Sequence, residues 1–250
     1  MLQENRRAKN AITAVMTAAN GDDDLQLKGA AHVGRLGESS VLENGLMLSV
    51  DRIKDHSAVL GPGNRVVVWF HGCVRCCPGC IASGMNDSAD YARYAPEELA
   101  SRILAVEGVE GVTISGGEPF DQNPRPMAVF LSSVRAAGLS VMAYTGYLRE
   151  ELESDRDKCG LLGFIDILVD GPYVEGEDHG ELWRGSANQR MHFLTERYSG
   201  IAASIEGRKG RDLEFELGRG LDFSFTGIPP RGFRNRLAER LGQKGMEINW

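Results

Sequence analysis

Four of the five cysteines of this 250-residue chain fall within eight residues, in the stretch His71-Gly72-Cys73-Val74-Arg75-Cys76-Cys77-Pro78-Gly79-Cys80. Thiols this close in sequence can converge on one centre, and that constrains what the chain can fold around. Cys73, Cys77 and Cys80 read C-x3-C-x2-C, whereas Cys73, Cys76 and Cys80 read C-x2-C-x3-C, and spacing alone does not choose between the two sets. A structural zinc site takes four protein ligands and is closed. A 4Fe–4S cluster can be held by three cysteines, which leaves one iron open to a non-protein ligand. A zinc ribbon would bring a second C-x2-C about fifteen to twenty residues on; Cys159 stands alone instead. Disulfide frameworks belong to small secreted chains. Here Arg6 and Arg7 are followed by no apolar core of the kind a secretion signal carries. The stretch therefore reads as an iron–sulfur loop, with zinc or a redox thiol site as the alternatives.

The flanking pattern places this loop in a fold. The apolar run Val66-Val67-Val68-Trp69-Phe70, whose two aromatics read as core, predicts a buried strand that ends at the loop. Pro96 opens a helix to about residue 106, with Glu97 and Glu98 at its positive end. Residues 109–115 then predict a strand ending in Gly116-Gly117-Glu118-Pro119, and residues 126–137 a helix. A strand over 140–144 ends in Thr145-Gly146-Tyr147, a charged helix covers 148–157, and a strand over 164–169 ends in Asp170-Gly171-Pro172. Steady alternation of this kind predicts right-handed crossovers and a parallel sheet. Ligands of such sheets sit beyond the carboxyl ends of the strands, where all of these motifs lie.

Outside that core, residues 1–20 read as weakly helical, with Ile12, Val15, Met16 and Ala19 on one face, and residues 21–40 as a Gly-, Asp- and Ser-rich linker. Gly61-Pro62-Gly63 marks a sharp turn. Residues 213–217 and 221–225 alternate around Gly218-Arg219-Gly220 as a β-hairpin would, and a basic helix follows over 231–241. The expected organisation is an N-terminal arm over 1–45, a core domain over 46–200 and a C-terminal extension over 201–250. Cys159 reads as a buried or half-buried thiol, and His71 as a strand-end histidine able to hydrogen-bond near the loop. Lys and Arg number 28 against 35 Asp and Glu, a formal charge of −7. That balance argues against nucleic-acid or membrane-surface binding driven by bulk charge. No apolar run approaches a bilayer-spanning length.

The Cys73-x3-Cys77-x2-Cys80 loop after a first strand, followed by Gly116-Gly117-Glu118-Pro119 at the next strand end, resembles the radical S-adenosylmethionine (SAM) superfamily. The Gly61-Pro62-Gly63 turn is similar to one in activating enzymes of glycyl radical enzymes. Tyr144-Thr145-Gly146-Tyr147, Leu168-Val169-Asp170-Gly171 and Arg184-Gly185-Ser186-Ala187-Asn188-Gln189-Arg190 resemble segments of anaerobic ribonucleotide reductase activating proteins, so the resemblance covers about residues 46–195. It implies an α/β fold built as a partial (βα)6 radical SAM barrel. It also implies a 4Fe–4S cluster on Cys73, Cys77 and Cys80, leaving Cys76 a bystander. SAM would be held by Gly116, Gly117, Glu118 and Pro119, with Thr145 and Asp170 as further candidates.

The implied enzyme cleaves SAM reductively to a 5′-deoxyadenosyl radical and installs a glycyl radical on a partner enzyme. Its electron comes from a flavodoxin- or ferredoxin-type donor, and it works anaerobically in the cytoplasm. Two other functions fit the same motifs: radical chemistry on a peptide or small molecule, and a non-enzymatic interaction module stabilised by metal. Only Cys76 and Cys159 are spare for an auxiliary cluster, which weighs against the peptide modifiers.

Overall fold

In a computed structural model the described residues are 14–18, 46–85, 89–205, 207–218 and 222–249. In chain order the elements are β1 (Ala14–Ala18), β2 (Leu48–Ser57), β3 (Arg65–Phe70), β4 (Ala92–Tyr94), α1 (Pro96–Leu104), β5 (Gly111–Gly116), α2 (Pro124–Ala136), β6 (Ser140–Tyr144), α3 (Arg149–Ser154) and α4 (Cys159–Leu162). They continue with β7 (Ile167–Asp170), β8 (Arg190–Phe193), α5 (Ser199–Ile205), β9 (Leu213–Leu217), β10 (Asp222–Gly227), α6 (Phe233–Gly242) and β11 (Met246–Asn249). None of the helices among these residues is long and apolar enough to cross a membrane.

The protein is α/β, with a seven-stranded sheet in the order β4-β2-β3-β5-β6-β7-β8. Its centre, β3-β5-β6-β7, is parallel. Parallel strands require crossovers, and the segments carrying α1, α2 and the pair α3–α4 supply them. The expected parallel sheet is found at this centre but not at the flanks, where β2 and β4 on one side and β8 on the other pair antiparallel. The cause is the length and content of the connections. A tight turn through Gly61-Pro62-Gly63 joins β2 to β3, and the chain between β7 and β8 carries no crossover α-helix, so each chain reverses. The sheet is open, with β4 and β8 as its edges.

Every residue of β3 is buried, as expected of a strand covered on both faces. Period-two geometry sends Val66, Val68 and Phe70 to one core and Val67 and Trp69 to another. The first core is helix-backed: Leu99 and Ile103 of α1 and Phe130, Leu131 and Val134 of α2 join it, and Phe130 meets Phe70 edge-on with centroids 6.4 Å apart. The second face is covered differently. Leu60, Met85 and Ile228 pack on Val67 and Trp69, while Trp183 and Tyr198 pack beside Met142, Ile167 and Val169.

A second, antiparallel sheet has the order β11-β1-β10-β9. The helical expectation for residues 1–20 is overturned where they are described, since Ala14–Ala18 is a strand between β10 and β11. A short apolar run cannot be assigned by periodicity alone, and its partners lie more than two hundred residues further along the chain. The remainder of that expected helix and the expected linker over 21–40 lie outside the described residues. The hairpin expected over 213–225 is β9 and β10. Cys159 is also corrected: it opens a one-turn helix and is exposed, with its thiol donating to Arg156 O at 3.4 Å.

At the end of the sheet away from the cysteine loop, Arg65 is fully buried. Its Nε donates to Thr113 Oγ1 at 2.8 Å, Nη2 to Val112 O at 2.7 Å and Nη1 to Ser140 Oγ at 2.9 Å. One side chain thus ties β3 to β5 and β6. Arg65→Ala leaves those acceptors buried without their donor. It is expected to cost about 3 kcal/mol, read as a lower urea midpoint with an unchanged m value.

Candidate metal centre

The cysteine loop leaves the carboxyl end of β3, which pairs in register with β5 so that Phe70 stands opposite Gly116. Both motifs therefore emerge at one end of the sheet. Their junction is a backbone weld: Gly117 N–H donates to Phe70 O at 2.7 Å and Glu118 N–H to Gly72 O at 2.8 Å. A Cβ on Gly117 would sit 2.1 Å from Gly72 O, so only glycine allows this approach. The loop base is held a second way. Gln122 Nε2 donates to His71 O and Gln122 Oε1 accepts from Ser49 N–H, both at 2.9 Å. His71 stacks on Tyr91 with centroids 4.0 Å apart, and its Nδ1 lies 3.7 Å from buried Asp51.

Cys73, Cys77 and Cys80 are half-buried and line a cavity of about 410 Å³, together with Gly116, Gly117, Glu118 and Thr145. Cys76 is exposed, lies outside that lining, and adopts φ 45°. Among the described residues no three His, Cys, Asp or Glu side chains close to the spacing of one metal ion. A cluster spaces its cysteines more widely, one thiolate per iron, and this cavity has the room, so the three thiols fit that group. Burial pushes the Cys73 and Cys80 thiols up; loading iron displaces their protons.

Glu118 is 1% exposed. Its Oε1 accepts from Thr145 Oγ1 at 2.8 Å and Phe120 N–H at 3.1 Å, and its Oε2 from Gly146 N–H at 2.7 Å. Burial raises its pKa to about 7 against the opposing pull of these donors. The carboxylate thereby joins the ends of β5 and β6, and Thr145 completes the link by accepting from Tyr147 N–H at 3.1 Å.

Asp170 stands elsewhere. It is buried but outside the cavity lining. Its carboxylate is bonded by Arg190, accepts from Arg149 N–H at 2.7 Å, and lies 3.1 Å from His192 Nε2. Burial would raise its pKa, but the hydrogen bonds from Arg190 and Arg149 outweigh that and hold it below the usual range. Asp170 therefore fastens β8 and the start of α3. The segment 184–190 is a self-braced loop: Gly185 N–H donates to Gln189 Oε1 at 2.7 Å, and Gln189 Nε2 to Gly171 O at 2.9 Å.

Sequence reasoning missed the arginines of the cavity. Arg52 lies over Trp69 at 4.0 Å and Arg75 over Tyr147 at 3.9 Å. It also missed that residues 225–235 form part of the wall. The Pro229-Pro230 pair marks a bend there but nothing in it reveals where the bend goes.

Comparison with known proteins accords with this site. The profile of the family described as "4Fe-4S single cluster domain" matches residues 59–192. An anaerobic ribonucleoside-triphosphate reductase-activating protein of Enterobacteria phage T4 is 31% identical over 150 residues, covering 58% of this chain and 93% of the relative. Proteins of the same name from Vibrio cholerae and Escherichia coli K12 are 32% and 30% identical, each covered over 92% of its length by 55% and 54% of this chain. The chain belongs to this family of activating proteins and contains a 4Fe–4S single-cluster domain.

Because the folded Glu118 carboxyl titrates about 7 rather than near its ordinary 4.5, the folded chain binds that proton more tightly than the unfolded one. Its contribution is full below 4.5 and is lost as pH rises through 7, by about 3 kcal/mol. Glu118→Gln removes that slope. The difference in melting temperature between variant and parent is expected to move steadily in the variant's favour from pH 4.5 to 7 and to level off above.

Proposed function

We propose that this protein is a radical SAM activase: it cleaves SAM reductively at a 4Fe–4S cluster held by Cys73, Cys77 and Cys80 and installs a glycyl radical on a partner enzyme akin to anaerobic ribonucleotide reductase. The observation that carries the reading is the weld between the Cys73–Cys80 loop and Gly116-Gly117-Glu118, which puts three thiols and a glycine-edged strand end on one cavity. The family's activators of anaerobic ribonucleoside-triphosphate reductase support the choice of partner.

The chemistry supplied when cluster and SAM are bound is one-electron cleavage of a sulfonium C–S bond to methionine and a 5′-deoxyadenosyl radical, which abstracts hydrogen from a glycine Cα. The chain's own residues position it. Cys73, Cys77 and Cys80 would hold the cluster as thiolates. Gly116 and Gly117 let backbone reach the ligand, and Pro119 starts the turn that carries it away. Glu118 supplies negative charge toward the ammonium while Thr145 and Gly146 hold its orientation. Asp170 acts at one remove, by keeping β7 and β8 together beside Gly171. The electron comes from a flavodoxin- or ferredoxin-type protein in the cytoplasm. Since residues 225–235 wall the cavity, a second reading keeps the radical chemistry and gives it a peptide or small-molecule substrate.

Anaerobic reconstitution with iron and sulfide tests the activase. On reduction, 5′-deoxyadenosine is expected from the parent and from Cys76→Ala, and a loss of at least a hundredfold in Cys77→Ala. A glycyl radical signal on the co-expressed reductase separates the two substrates. Bound zinc with no cleavage under any reductant would sink the enzyme.

A further inference from the structure

The C-terminal extension reaches the cysteine loop and grips it. Ile81, directly after Cys80, packs with Phe223 and Phe225 in a cluster that Phe233 and Leu237 complete. Phe225 and Phe233 meet edge-on with centroids 5.2 Å apart. From the first turn of α6, Arg234 Nη2 donates to Ile81 O at 3.1 Å, and Arg234 lines the same cavity as Cys80. The extension's side of this contact lies outside the residues matched by the family profile, 59–192.

Three other arginines line that cavity, and each is directed elsewhere. Arg52 lies over Trp69; Arg75 lies over Tyr147 with Glu151 at 3.4 Å; Arg231 lies 3.4 Å from Glu175. Arg234 is bonded instead to the carbonyl of the residue directly after Cys80. An arginine keeps its charge under almost any conditions. Arg234 is half-buried, so water screens that charge only in part.

We propose that Arg234 is a positioning residue for the cluster: it clamps the loop after Cys80 and, by its fixed positive charge, raises the cluster's reduction potential. The proposal rests on the reading that Cys73, Cys77 and Cys80 hold a 4Fe–4S cluster. On reduction one electron enters from a low-potential donor, no proton or ligand is exchanged, and the cluster becomes more negative by one unit. A neighbouring guanidinium stabilises that form over the oxidised one. Net charge and hydrogen bonding around the cluster are general levers on iron–sulfur potentials.

The test is a redox titration of the full-length, reconstituted protein with dithionite and mediators, followed by electron paramagnetic resonance of the reduced cluster. The midpoint is read on the loaded fraction, with iron and sulfide measured alongside. Arg234→Gln is expected to move the midpoint negative by the equivalent of about a tenfold loss in reducibility, 59 mV for one electron. Arg234→Lys, which keeps the charge, and Arg231→Gln, which neutralises the arginine paired with Glu175, are expected to stay at the parent value. An unshifted midpoint in Arg234→Gln overturns the proposal, even if that variant holds less iron. So does a shift in Arg234→Lys as large as in Arg234→Gln. A parent that takes up zinc and no cluster fails the underlying reading instead, and is recognised before any variant is compared.

Discussion

Two backbone hydrogen bonds, from Gly117 N–H to Phe70 O and from Glu118 N–H to Gly72 O, are the constraint on which the site depends. They extend the β3–β5 pairing past the sheet and lock the start of the cysteine loop against the strand end that follows. Each element they join is independently rigid. The residues of β3 are buried on both faces, and Glu118 is held by three donors. A loop of ten residues carrying four cysteines would otherwise sample many arrangements. Fixing its first turn by hydrogen bonds that require no side chain at Gly117 removes much of that freedom before any metal arrives. Metal binding then completes an arrangement rather than creating it.

Charge in the site follows the same logic. Glu118 is buried where a carboxylate is costly, and its three donors only partly offset the cost. A group poised this way responds to what enters the cavity, because a cation placed nearby restores the ionised form. Asp170, with Arg190, Arg149 N–H and His192 around it, is already compensated and stays ionised. Two acids at the ends of β5 and β7, with β6 between them, therefore divide their work, one facing the cavity and one bracing the frame.

Much of this was legible in the sequence, for physical reasons. The cysteine spacing and the run 66–70 carry the loop and its strand, because a strand buried on both faces must be apolar throughout. Alternation of strand and helix carries the parallel centre. What it does not carry is pairing direction at the flanks, which turns on whether a connection is long enough for a crossover. Nor does it carry Ala14–Ala18, whose strand character is conferred by β10 and β11 from the far end of the chain. The Asp170 and Arg190 motifs look alike as ligands or as braces, since an ion pair between strand neighbours leaves no local pattern. Spacing alone does not separate Cys76 from Cys77; in the fold Cys76 is exposed at φ 45° while Cys77 is half-buried on the cavity.

The C-terminal extension is best understood from the sheet. A largely parallel sheet must be covered on both faces, yet α1 to α4 all contribute to one core. The second face, with Val67, Trp69, Met142 and Val169, is covered by loops and by the extension, through Ile228 on Trp69 and the phenylalanines on Ile81. That covering layer also walls the cavity. Stability and access are thus carried by the same residues, while the cysteines and Gly116-Gly117-Glu118 sit on the layer beneath. A change in the extension can reshape what reaches the centre, or the charge that surrounds it, without altering the motifs that hold it. The converse does not apply: a side chain at Gly117 would disturb both layers at once, because the loop that the extension grips is the loop that Gly117 seats.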